Sequence, residues 1–266
     1  YRARIALALK GLPYETVGIH LNRDGGEQHK PAYRAVNPQG RVPALELEDG
    51  TVITQSLAII DYLEAVHPEP RLYPRDPLAR AKALSIAFTI AADIHPLQNT
   101  STTNYLKKHF NADEAAIQAW YQQWIGSGLA TVEGKVEGRP YALGSEPTIA
   151  DICIVAQLST ARRLNFDLSA YPKLVAIDAH ATPAFATAAP SDCGRSTIIT
   201  LPPPASSSFT VASPSPDAPP VTSATVPATF IDPPTGKIRP LRTQMATNEH
   251  QGALLGKPQT NRGSRG

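Results

Sequence analysis

Residues 37–56, NPQGRVPALELEDGTVITQS, leave a chain few ways to fold. Pro38 fixes φ and Gly40 accepts positive φ, so the stretch opens with a turn. Val42 to Leu47 reads as a strand, with Leu45 and Leu47 on one face and Glu46 and Glu48 on the other. Asp49-Gly50 is a two-residue hairpin signal, and Thr51 to Thr54 forms the returning strand. Gln55-Ser56 then stands where a helix must begin, because Leu57 to Leu63 takes up a helical apolar pattern. A proline at the head of an inner strand cannot donate to the ladder. A cis Val42-Pro43 bond is one resolution, and it would turn the Val42 backbone outward toward a peptide-like ligand. Ser56 at a helix N-terminus offers a hydroxyl, free N–H groups and a positive dipole end, which suit a carboxylate. Taken singly, each feature is better accounted for by an edge-strand proline or an ordinary serine cap, and it is their combination at this spacing that points to a ligand.

Ile5, Ala8, Leu9 and Leu12 recur at helical spacing, and Gly11 and Pro13 end that helix. Val17, Ile19 and Leu21 alternate as a strand, a polar loop follows from Asn22 to Lys30, and Pro31 to Val36 suits a short helix. With one parallel strand before residue 1 the order becomes a thioredoxin-like β-α-β-α-β-β-α domain, spanning residues 1–66. Residues 67–77 hold four prolines and read as an extended linker. From 78 to 190 the signal is helical. Ala79 to Ala92 should bend or end at His95-Pro96, and a further helical stretch runs from Leu97 to His109. Glu114 to Glu137 carries one broad apolar face. Thr148 to Asp151 is a capping box that opens a helix, Ile149 to Arg163, apolar nearly all round and therefore buried. Tyr171-Pro172 and Thr182-Pro183 punctuate the last short helices.

Composition changes near Pro190. Residues 191–266 hold 12 of the 26 prolines and no sustained period, so they are expected to be a disordered tail with few contacts to the body. The net charge of +2 argues for neither nucleic acid nor membrane as a partner. No apolar run approaches the roughly 20 residues a spanning helix needs, and the two cysteines, Cys153 and Cys193, give no disulfide framework. A cytoplasmic setting is the expectation. No pair of histidines has helical metal spacing, so no metal is expected. The only methionine is Met245 and the chain opens inside a helical pattern, which suggests a start upstream of Tyr1.

Three blocks together, Tyr1 to Gly11, Asn37 to Pro43 and Gln55 to Glu64, resemble the zeta class of the glutathione transferase superfamily. Ile94-His95-Pro96-Leu97-Gln98-Asn99 is the most diagnostic further match. The resemblance covers residues 1 to about 190 and implies a thioredoxin-like domain followed by a helical glutathione-transferase domain, an α/β plus all-α architecture. It implies glutathione as cofactor, held by Gln28, Val42, Gln55 and Ser56 from the first domain and by His95, Asn99 and Ser101 from the second. Arg2 and Arg163 would face a small dicarboxylic keto-acid substrate. The implied activity is glutathione-dependent cis–trans isomerisation of maleylacetoacetate, a step of aromatic amino acid catabolism, in a homodimer. The class carries its thiolate-stabilising Ser-Ser-x motif just before the first helix, a position upstream of Tyr1. No catalytic residue is therefore expected within the chain, and its own turnover is expected to be low. A non-catalytic glutathione-binding module is the alternative from a different class.

Overall fold

The computed structural model describes residues 1–21, 23–137, 140–185, 195–201, 229–231 and 238–240. Helix α1 (Arg2–Leu9) leads to strand β1 (Glu15–His20), helix α2 (Pro31–Val36), strands β2 (Ala44–Glu46) and β3 (Val52–Thr54) and helix α3 (Ser56–Val66). The hairpin expected at Asp49-Gly50 forms: Leu47 N donates to Thr51 O and Gly50, at φ +81°, donates to Leu47 O. Ala44 pairs with Thr54 and Glu46 with Val52. α1 is buried over a wider arc than its spacing indicates, at Ala3, Ile5, Ala6 and Leu7, because it packs against α3 and the later helices α8 (Ile149–Arg163) and α9 (Pro172–Phe185). In β1 only Ile19 is buried, and Val17 on the same face is 53% exposed.

The second half is helical: α4 (Pro77–Phe88), α5 (His95–Gln98), α6 (Thr100–Phe110), α7 (Glu114–Lys135), α8 and α9. Residues Thr89–Ile94, between α4 and α5, form a π-helical turn. Pro96 has no N–H to return to the preceding turn, and the chain passes from the wider turn directly into α5 with helical dihedrals at Ile94 and His95. Gly128 of α7 faces that turn, and a Cβ there would lie 2.2 Å from Ile94 Cγ1. Only glycine lets α7 approach so closely. Asn99 breaks the expected Leu97–His109 helix into α5 and α6 by capping the latter. Pro183 lies within α9 near its end instead of stopping it. The capping box of α8 is present. The wholly buried Asp151 carboxylate accepts from Ala142 N (2.7 Å), Thr148 N (2.8 Å) and Thr148 Oγ1 (3.1 Å).

The largest departure concerns the tail. Arg195–Thr200 forms strand β4, which lies in the interior of a four-stranded sheet of order β1-β4-β2-β3. It runs antiparallel to β1 over six residue pairs, Glu15 with Thr200 through His20 with Arg195, and parallel to β2 over three. Ile199 is fully buried. The expectation of a structureless tail from residue 191 does not hold here. A six-residue run of β-branched and polar residues, RSTIIT, is enough for a strand, and the average composition of the segment conceals it. Residues 186–194 and most of 202–266 lie outside the described residues. Residues 1–207 form one compact unit, in which a continuous apolar cluster runs from Ala3 to Ile199. In the unit from 208 onward, β5 (Thr229–Ile231) pairs antiparallel with β6 (Ile238–Pro240).

One buried ion pair ties α1, α3 and the linker together. Lys10 Nζ donates to Glu64 Oε2 (2.8 Å), His67 O (2.6 Å) and Pro70 O (3.0 Å), which satisfies all three of its protons. The Glu64 carboxylate also accepts from Leu72 N (3.0 Å) and Tyr73 N (3.3 Å). Removing one partner of such a pair costs about 3–5 kcal/mol, so Glu64→Gln or Lys10→Met should lower the urea midpoint sharply. The double variant Lys10→Met/Glu64→Leu should not recover, because the Leu72 and Tyr73 amides would be left buried and unpaired. Recovery to the wild-type midpoint would show that this amide cradle contributes nothing.

Candidate functional site

The loop before β2 is held by side chains of its own segment. Tyr33 Oη (2.7 Å) and Asn37 Nδ2 (2.6 Å) both donate to Arg41 O, and Asn37 Oδ1 accepts from Gln39 N. The Val42-Pro43 bond is cis, as the strand-head proline led one to expect. Gly40 has φ +61°, and a Cβ there would meet Gln28 O at 2.9 Å, so the loop rests directly on the Gln28 backbone. Gln28 Nε2 donates to Leu21 O (3.0 Å). Its Oε1 is buried and has no hydrogen-bond partner among the described residues, an acceptor that calls for a donor.

Gln55 and Ser56 stand at the start of α3, as the sequence indicates. Gln55 has φ +70°, a left-handed value unusual for a residue with a Cβ and of a kind that gathers at binding sites. Its Nε2 reaches Gln39 Oε1 at 3.2 Å. Ser56 Oγ accepts from Arg2 Nε at 2.9 Å. Two residues expected to serve different ligands are thus in direct contact, at the N-termini of α1 and α3.

On the helical side, His95 follows the π turn. Burial, reinforced by the positive charges of Arg2, the terminal amino group, Arg41 and Arg163, lowers its pKa from 6.5 to about 3. The ring is therefore neutral at any working pH. His95, Arg2 and Arg163 share one electrostatic locality, and Arg41, which the sequence reading passed over, belongs with them. Among the described residues none of these three arginines is paired with a carboxylate. Asn99 and Ser101 are occupied otherwise: Asn99 Oδ1 accepts from Ser101 N (3.1 Å) and Ser101 Oγ (3.2 Å), a helix cap. The sequence reading also missed a reciprocal amide pair, Gln98 with Gln157, bonded at 2.8 and 2.9 Å across α5 and α8. A lone glutamine between the apolar neighbours Val155, Ala156 and Leu158 of α8 was its available signal. Gln98 Nε2 lies 3.5 Å from His95 Nδ1. Cys153 is buried, and burial foremost pushes its thiol up to about 11, so it packs as a core thiol and is no nucleophile. Cys193 lies outside the described residues. Among the described residues no group of three His, Cys, Asp or Glu could hold a metal, and no helix is long and apolar enough to cross a membrane.

Comparison with known proteins gives this geometry a context. Residues 1–66 match the glutathione S-transferase N-terminal domain, and residues 125–177 match the glutathione S-transferase C-terminal domain. The chain is 46% identical over 194 residues to a maleylacetoacetate isomerase of Pseudomonas aeruginosa, covering 72% of this chain and 91% of the relative. It is 44% identical over 184 residues to a maleylpyruvate isomerase of a Ralstonia species, covering 67% and 85%. Among solved structures it resembles the holo form of a maleyl pyruvate isomerase described as a bacterial zeta-class glutathione transferase. That match has a TM-score of 0.67 at 43% identity and covers 71% of this chain and 91% of the other. A maleylacetoacetate isomerase from Methylobacterium extorquens AM1, solved with bound malonate and glutathione, aligns with a TM-score of 0.63 at 36% identity, covering 70% and 89%.

The depressed His95 pKa has a consequence for stability. Between about 3 and 6.5 the unfolded chain binds a proton that the folded chain excludes. The stability carried by neutral His95 is complete above 6.5 and is lost as pH falls toward 3. Urea midpoints measured from neutral pH down to about pH 4 should therefore fall less steeply for His95→Gln than for the wild type. Equal slopes would contradict the depressed pKa of this half-buried ring.

Proposed function

The chain belongs to the zeta-class glutathione S-transferases, and from that premise we propose that it is a glutathione-dependent cis–trans isomerase of maleylacetoacetate or a close cis-enedioyl acid. The observation that carries the reading is the contact of Arg2 with Ser56 inside a group of cations that no described carboxylate neutralises. Such a group suits ligands that bring carboxylates of their own.

The residues present fit glutathione on the terms of this structure. Gln28 Oε1 is an acceptor in need of a donor, and the α3 N-terminus with Ser56 Oγ suits the γ-glutamyl carboxylate. Val42, at the cis bond, suits the peptide part of the tripeptide. When bound, glutathione supplies a thiolate that adds reversibly to a conjugated double bond, frees rotation about it and leaves unchanged. The chain's own residues bind and orient. Arg2 and Arg163 suit the carboxylates of the acid, and their charges, with that of Arg41, favour anionic forms nearby. Neutral His95 borders the same region without adding charge. Asn99 and Ser101 are further contacts on this reading, once their mutual cap opens toward a ligand. A homodimer in the cytoplasm accompanies the family reading.

Ser56→Ala tests it. A hydrogen bond to a charged group is worth about 1.5–3 kcal/mol, so titration calorimetry should show glutathione affinity reduced about tenfold or more. Whatever rate of maleylacetoacetate isomerisation the chain supports should vanish when glutathione is left out. Wild-type protein that binds no glutathione at millimolar concentration would overturn the proposal.

A further inference from the structure

We propose that β4 is an intramolecular donor strand that assembles the glutathione site, so that docking of Arg195–Thr200 and binding of glutathione are coupled; the coupling rests on the function proposed above. Three observations support it. β4 lies outside both segments matched to glutathione transferase domains, residues 1–66 and 125–177, yet it holds an interior place in the sheet. Among the described residues β1 has no other strand beside it: its six register pairs are all with β4. And β4 stands between the two parts of the site. On one side β1 continues into Leu21, whose carbonyl holds the Gln28 side chain, while His20 N donates to Glu27 Oε2 at 2.8 Å. On the other side β2 begins two residues after Val42, with Ala44 paired to Ile198, and leads through β3 to Gln55 and Ser56.

Among the described residues these halves are also joined by the seat of Gly40 on the Gln28 carbonyl and by the apolar group of Ile19, Tyr33, Val36 and Val42. Without β4, β1 and β2 would each present an unpaired edge, Ile199 would leave the core, and only these two smaller joins would hold Gln28 at its distance from Val42 and Ser56. A strand that fixes the site must itself be stabilised by what fills the site, since coupling between two binding events is reciprocal. The occupant of the slot is this chain's own segment: an interior strand of β-branched residues, bonded through its backbone on both edges, as in strand-addition recognition.

The chain of residues 1–266 serves for the test. Amide hydrogen exchange should show Thr197 to Thr200 protected together with Val17 to Ile19 and Ala44 to Glu46, and glutathione should slow all three groups. Ile199→Pro removes a ladder donor from an interior strand. It should strip that protection and weaken glutathione binding about tenfold, while α7 and α8 amides keep theirs, which shows that the helical part is still folded. Ile199→Val, which keeps the strand, should bind glutathione as the wild type does. A synthetic peptide of residues 195–201 added to Ile199→Pro should restore both protection and affinity. Free exchange of β4 amides in the wild type, or full glutathione affinity in a folded Ile199→Pro, would overturn the proposal. So would β4 protection that disappears on dilution, since a second copy would then be supplying the strand. If the wild type binds no glutathione, the functional reading fails, and β4 docking is judged by protection alone.

Discussion

Two cation-to-oxygen hydrogen bonds hold α1 against α3, and the site depends on both. Arg2 Nε meets Ser56 Oγ at 2.9 Å and Lys10 Nζ meets Glu64 Oε2 at 2.8 Å, and each pair is separated by 54 residues. The equal separation means that the two helices run parallel in one register, with bonds eight residues apart, or about 12 Å of helical rise. The lower bond is buried and locked further by the linker amides of Leu72 and Tyr73. A slide of α3 along α1 would break both at once. The direction of Ser56 at the mouth of α3 is therefore set partly by a carboxylate two turns away that touches no ligand.

The helical half is brought up to this clamp by close packing. Gly128 admits Ile94, the π turn carries the chain past Pro96, and His95 arrives beside the Arg2, Arg41 and Arg163 charges with its ring held neutral. Cations that no described carboxylate pairs with repel one another, and on the function proposed above an incoming dicarboxylate would relieve that repulsion.

What the sequence made legible was local. The Asp49-Gly50 turn, the cis Val42-Pro43 bond, the start of α3 at Ser56 and the Thr148–Asp151 box all depend on neighbours within a few residues, where turn and cap chemistry is specific. Contacts over long separations were not legible. Nothing in RSTIIT shows that it enters a sheet beside residues 15–20, because a short β-branched run has no partner written into it. The bond of Arg2 to Ser56 was hidden in the same way, since each residue had been read with a ligand of its own. Asn99 and Ser101 show the reverse: a family motif suggested ligand contacts, and the local cap between them supplies each with a partner first.

The central claim, that the chain uses glutathione as a returning cofactor to isomerise a cis-enedioyl acid, is tested most directly by following one reaction mixture by proton NMR. Maleylacetoacetate is supplied in excess over glutathione, and the mixture is observed until it stops changing. The account predicts conversion to the trans isomer in amounts exceeding the glutathione present, with the glutathione signals unchanged at the end. Consumption of glutathione in step with substrate, or conversion at the same rate with no glutathione present, would contradict it.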